Sequence, residues 1–197
     1  MQRQKKSADA VKLIEKYPEY KKFAERFNSQ TQLKLSAINP NFVTCYKYNV
    51  PKLSTIANAY DSDAAINWLK IQFENLNDFV GVREKMQLYQ LNELATLFFS
   101  ECYYLNISEV MLFFIKLKRG EFGEFYGCID PLKIMSAKNE FISQRMLALQ
   151  KDEEERLKEQ RKEMLKKWDE ECITYDEFLK SKKNNIKFEK NESTKNI

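Results

Sequence analysis

Gly120, Gly123 and Gly127 lie in the stretch LKRGEFGEFYGCIDP at 117–131 and are three of the chain's four glycines. Glycine-rich loops beside cations can cradle phosphate, because backbone N–H groups there converge on an anion. Lys118 and Arg119 precede the loop and suit that chemistry. Glu121 and Glu124 lie inside it and oppose it, since a carboxylate repels phosphate unless turned away. A structural turn fits the pattern better. Gly120 falls just after a helical pattern, where a left-handed backbone is common. Asp130-Pro131 then reads as an N-cap followed by proline at the first helical position. Phe122, Phe125 and Tyr126 alternate with the glycines. They can pin such a loop to a core, or offer it to a protein partner.

Other chemistries fall away on residue type. The chain has no histidine among its 197 residues, so Ser-His-Asp and Cys-His nucleophiles and His-ligated zinc are excluded. Its four cysteines, Cys45, Cys102, Cys128 and Cys172, are far apart and form no CxxC pair, so free thiols in a reducing compartment are expected. Neither GxxxxGK[ST] nor GxGxxG occurs. No catalytic residue, cofactor or metal ligand is assigned on these grounds.

Charge points to a binding surface instead. Residues 1–50 hold ten Lys/Arg against four Asp/Glu, within a net charge of only +4 for the chain. Lys5, Lys6, Lys12, Lys21 and Lys22, with Lys182 and Lys183 near the other end, are the candidate contacts to nucleic-acid phosphates. The plainer alternative is the ordinary solvated face of amphipathic helices. The opening MQRQKKSADA has charge without a following apolar stretch, unlike a signal peptide. The apolar run MLFFI at 111–115 is far shorter than the roughly 18 residues of a membrane helix. A cytoplasmic protein without membrane contact is expected.

Four glycines and four prolines in the chain are too few for the many turns of an all-β fold, so the class expected is all-α. Helical spacing marks 7–17 behind a Ser7 cap and a short helix from Pro18 to Phe27. Residues 28–50 read as irregular, with turn residues Asn28, Ser29, Asn39, Pro40 and Asn41. FVTCYKY at 42–48 reads as a short strand, being β-branched and aromatic. A helix opens at Pro51. Another follows Asp61 or Ser62, with Ile66, Leu69, Phe73, Leu76 and Val80 on its stripe and Gly81 as its C-cap. Residues 84–104 carry apolar residues on several faces, including Leu91, Leu94, Leu97, Phe98 and Cys102, and are expected to be the central buried helix. Asn106 and Glu109 form a capping box for a helix running to Arg119.

The stretch YYLNISEVMLFFIKLKRGEFGEFYGCIDPLKI, 103–134, resembles the signature segment of short uncharacterised proteins from Bacteroidota, their mobile elements and their phages. The resemblance rests on the paired tyrosines, Ser108-Glu109, Leu112-Phe113-Phe114, Lys118, Gly120, Gly123, Tyr126, Gly127 and Asp130, and extends over about 53–147. It implies a phage or mobile-element setting, where small helical proteins serve as DNA-replication accessories such as helicase loaders. It implies no chemistry.

From Asp130 no Gly or Pro follows Pro131 up to about Glu171, a helix on the order of 60 Å if continuous. Its second half, KDEEERLKEQRKEMLKKWDEE, is mostly charged. Asp152–Arg156, Glu154–Lys158 and Glu163–Lys167 are spaced four apart with the acid first, which supports a solvated helix. Leu157, Met164 and Trp168 make a thin stripe at steps of seven and four, a candidate surface for a partner or a second copy. Thr174 and Glu177 form a capping box for a last short helix, and 184–197 reads as a disordered tail. The organisation expected is a basic helical segment over 1–50, a helical core over 51–150, and a charged extension and tail over 151–197. Two functional readings remain: a non-enzymatic, DNA-associated accessory protein of a phage or mobile element, or a helical adaptor that binds another protein without touching nucleic acid.

Overall fold

A computed structural model describes residues 6–171 and 178–180 of the chain. Lys5, Cys172, the Thr174–Glu177 box, Lys182, Lys183 and the 184–197 tail lie outside them. Among the described residues there are nine α-helices and no strand. Contacts divide the chain into two units, one through Gln150 and one from Lys151. The first unit takes in the basic N-terminal segment together with the expected core.

Helix α1 (Ala8–Lys16) starts where the Ser7 hydroxyl accepts from the Ala10 N–H, and α2 (Tyr20–Arg26) follows Pro18. The expectation for 28–50 is corrected. This stretch holds α3 (Ser29–Ala37) and α4 (Phe42–Lys47), and no strand at 42–48. Asn28 and Asn41, taken as turn residues, are N-caps: their side-chain oxygens accept from Thr31 N–H at 3.0 Å and Thr44 N–H at 2.8 Å. The β-branched run at 42–48 is helical because burial of Cys45 outweighs a propensity difference of a few tenths of a kcal/mol per residue. The Asn106 side chain also donates to the Cys45 and Tyr46 carbonyls, tying the end of α4 in place.

Helices α5 (Leu53–Ala59) and α6 (Ser62–Val80) follow, with Asp61 capping α6 and Gly81 ending it at φ +64°. Helix α7 (Leu88–Cys102) begins four residues later than its apolar pattern suggested. Residues 84–86 are used elsewhere: Asn77 brackets the Met86 backbone, accepting from its N–H at 3.1 Å and donating to its carbonyl at 3.0 Å. The central element is α8 (Ile107–Lys118), and not α7. Ten of the twelve α8 residues are buried, whereas Leu88, Tyr89 and Leu97 of α7 face solvent. α8 packs against α3, α4 and α6. Phe73 of α6 lies 5.0 Å from Phe114, and Phe113 lies 5.3 Å from Phe141 of α9 (Pro131–Glu171). Burying each such ring contributes roughly 2–3 kcal/mol, so this aromatic layer dominates the core of the first unit.

Candidate functional site

The N-terminal cations come first. Lys6 is committed to the fold: its ammonium donates to the Ala59 carbonyl at 2.6 Å. Lys12 lines a concavity of about 590 Å³ framed by α1, the end of α2 and the approach to α5. Lys16, Arg26 and Lys52 line it too, with Asp9 as the single carboxylate and Tyr17 and Phe27 as aromatic walls. The Lys16 ammonium stands 5.6 Å from the centre of the Tyr17 ring. None of Lys12, Lys16, Arg26 and Lys52 forms an ion pair with another described residue. Lys21 and Lys22 are exposed on α2 outside this concavity, and Lys22 faces Glu19 at 3.8 Å. The concavity is thus built from Lys12 and three cations that the sequence did not single out. Lys16 lies one helical turn beyond Lys12, a readable signal. Lys52 reaches the same wall through the packing of α1 on α5, and Arg26 reaches it from the end of α2, where Phe27 packs 6.1 Å from Tyr17.

The glycine loop is a structural connection. Gly120, Gly123 and Gly127 have φ of +72°, +88° and +74°, the left-handed region that an added Cβ disfavours. The two cations expected to serve a phosphate turn elsewhere. Lys118 donates to the side-chain oxygens of Gln32 and Asn75, and Arg119 donates to Asn39 Oδ1 and the Ser36 carbonyl. Inside the loop, Glu121 pairs with Lys116, and Lys133 donates to the Glu124 carbonyl. The loop is also tied to the chain before α7, through Glu84 N–H to Gly127 O at 3.2 Å and Ile129 N–H to Glu84 O at 3.4 Å. The N–H groups of Gly120, Glu121, Gly123, Cys128 and Ile129 are therefore spent on backbone carbonyls.

Of the aromatic candidates, Phe122 packs on the core 6.1 Å from Phe113, and Phe125 lies under the Lys133 ammonium at 5.3 Å. Tyr126 alone points outward, 79% exposed, with its hydroxyl donating to Glu124. In the second unit Leu157, Met164 and Trp168 are all exposed, Trp168 by 70%. The guanidinium of Arg156 is held by Glu153, three residues back, at 2.5 and 2.9 Å, and Asp152, the partner that the sequence pattern assigned, adds its charge to the same side.

No nucleophile is prepared in the core. Burial pushes the Cys45 and Cys102 thiols up to about 12, the opposite of what a reactive thiolate requires. The buried carboxylate Glu109 is enclosed by Asn106 N–H at 3.0 Å and Arg145 Nε at 2.6 Å, without an open face for a substrate. Among the described residues no three His, Cys, Asp or Glu side chains gather as metal ligands, and no helix is long and apolar enough to cross a membrane.

Residues 85–191, more than half the chain, match a family of unknown function (DUF6633). No curated protein and no solved structure matches the chain.

Proposed function

The chain belongs to DUF6633, a family of unknown function, and from that premise we propose a non-enzymatic accessory role in which the first unit holds DNA by its phosphate backbone. One observation carries this reading: Lys12, Lys16, Arg26 and Lys52 converge on one concavity, unpaired, around a single acid. Cations without internal partners are free to displace the counterions of a polyphosphate, and that release drives sequence-independent binding. Tyr17, half-buried in the same wall, supplies an aromatic edge against which an unpaired base can pack. The resemblance of 103–134 to proteins of Bacteroidota phages and mobile elements supplies the setting. There such a protein acts beside the replication machinery in the manner of a helicase loader.

Fluorescence anisotropy with labelled single- and double-stranded DNA tests the reading. Four phosphate contacts give a slope of log affinity on log salt of roughly −3. Replacing Lys12, Lys16, Arg26 and Lys52 together by Gln should remove most of that slope. Replacing Lys21 and Lys22 should change it less. Absence of binding at low salt, or a slope that the four substitutions leave intact, decides against DNA.

A second reading, an adaptor that binds protein alone, is favoured by the exposed stripe Leu157, Met164 and Trp168. Affinity capture with and without nuclease separates the two, since partners held through DNA are lost on nuclease treatment.

A further inference from the structure

We propose that the concavity between α3, α6 and the C-terminal end of α8 binds a small organic anion, a carboxylate or phosphate monoester with an apolar body. Its head is held by Lys118 and Arg119, and its body lies against Leu33 and Phe79. The space is about 500 Å³, within the range of small-molecule sites. It shares no residue with the N-terminal concavity.

The charge pattern of the wall carries the argument. The Lys118 ammonium is half-buried and donates to Gln32 Oε1 at 2.5 Å and Asn75 Oδ1 at 2.6 Å, with the Phe79 ring 5.5 Å away. Both acceptors are neutral amides. Arg119 likewise meets only neutral oxygens, Asn39 Oδ1 and Ser36 O, each at 3.2 Å. The one acid in the wall, Asp78, is occupied by Lys85 at 2.7 Å. Two adjacent cations therefore face one space without a carboxylate partner among the described residues. Taking a cation out of water is costly unless it is paired; that cost falls on the half-buried Lys118, while Arg119 is exposed beside it, and an anion in this space supplies the partner both lack.

The wall is also set in advance. Gln32 is buried, and its amide donates to Gln72 Oε1 at 3.3 Å, which fixes its own oxygen toward Lys118. An ammonium has three donors, and two are used here, so the third remains for a ligand. Leu33 and Phe79, both large and exposed, stand at the rim. A bare inorganic anion would leave them wet.

Proton linkage gives a signature that a merely structural lysine lacks. Burial lowers Lys118 from 10.5 to about 8. The titratable or charged groups that share its wall are Asp78 of α6, with Lys85 on it, and Arg119 of α8; α3 contributes only Ser29, Gln30, Gln32, Leu33 and Ser36 to the lining. A bound anion favours the ammonium, so binding near pH 8 takes up a proton.

The test is isothermal titration calorimetry of the full chain with phenyl phosphate, benzoate and inorganic phosphate, in buffers of different ionisation enthalpy. Phenyl phosphate or benzoate should bind more tightly than inorganic phosphate, and the better of the two identifies the head group. Proton uptake should accompany binding at about pH 8 and vanish at about pH 6.5, where Lys118 is already charged. Lys118→Met and Arg119→Gln should each weaken binding tenfold or more, and Lys34→Gln should not. If Lys118→Met does not fold, Arg119→Gln decides, together with Phe79→Ala, which should weaken phenyl phosphate and spare inorganic phosphate. Failure of both aromatic anions to bind at millimolar concentration, binding that ignores Lys118 and Arg119, or binding without proton uptake at about pH 8 overturns the proposal. None of these outcomes bears on DNA binding, which rests on other residues.

Discussion

Glu109 joins the start of α8 to α9 through one carboxylate. One oxygen accepts from the Asn106 N–H at 3.0 Å, while Asn106 Oδ1 accepts the Glu109 N–H at 2.9 Å, closing the capping box of α8. The other oxygen accepts from Arg145 Nε at 2.6 Å and so ties α8 to α9. The Arg145 guanidinium also lies over Tyr46 at 5.3 Å and Tyr104 at 5.7 Å. Side-chain exposure of the pair is 12% for Arg145 and 3% for Glu109, so removing one partner strands a desolvated charge. Arg145→Met should therefore lower unfolding stability by about 3 kcal/mol, read from urea denaturation. In a double-mutant cycle with Glu109→Gln the pair should cost clearly less than the two single changes added together; strict additivity would show that the ion pair is not coupled. Gly120 gives a second test at this scale. Its φ of +72° is disfavoured for any residue with a Cβ, yet a Cβ there would meet only Glu124 Cγ at 4.0 Å. The cost is then one of backbone rather than crowding. Gly120→Ala should lose about 1 kcal/mol and Gly120→Val more, visible as successive drops in melting temperature. Equal melting of all three proteins would contradict the left-handed cap.

At the scale of elements, α8 and α9 show opposite uses of helical sequence. α8 is apolar on every side and is covered by α3, α4 and α6. Such a helix has no solvent face to maintain, so its polar residues sit at its ends, in the Asn106–Glu109 cap and at Lys116 and Lys118. The 151–169 half of α9 is mostly charged, and nearly all of it is exposed, its thin apolar stripe included. Helices whose apolar residues step by seven and four pair along that seam when a partner offers the same pattern. A second copy of the chain offers it by definition. Light scattering should therefore show a mass that rises with concentration, and Leu157→Glu/Trp168→Glu should hold the protein at monomer mass. A monomer at all concentrations for both proteins would leave the stripe to a different protein, as the adaptor reading requires.

For the whole molecule, the division after Gln150 falls inside α9. The aromatic layer of Phe73, Phe98, Phe113, Phe114 and Phe141 lies entirely before it. A chain ending at Gln150 keeps all these rings and both capping boxes seen in α7 and α8. It should melt cooperatively by circular dichroism, within a few degrees of the full chain. Loss of cooperativity would mean that the first unit needs residues beyond Gln150. The same division separates the basic N-terminal concavity from the exposed stripe, so on the proposed reading a chain ending at Gln150 should bind DNA with an unchanged salt slope and lose any self-association.

What the sequence determined by itself was what depends on neighbours a few residues apart. The all-α class, the Ser7, Asp61 and Asn106 caps, Gly81 and the Asp130-Pro131 start of α9 all follow from contacts within one helical turn, which residue order already fixes. α3 and α4 were missed because Asn at a turn and Asn at an N-cap make the same local bond, and only packing against α8 decides that a helix continues. The choice of α8 over α7 as the centre was likewise undetermined, since both are apolar and the number of neighbours around each is a property of the assembled unit. Side-chain destinations were the least legible. Lys118 reads as a helix-end charge or a phosphate ligand, and only the approach of α3 and α6 turns it into a half-buried cation between two amides. Arg26 and Lys52 are unremarkable in the chain and share a wall with Lys12 because Phe27 packs on Tyr17 at the end of α1 and α1 packs on α5. Concavities of this kind join residues distant in sequence, so their charge pattern exists only once tertiary packing has brought the cations together.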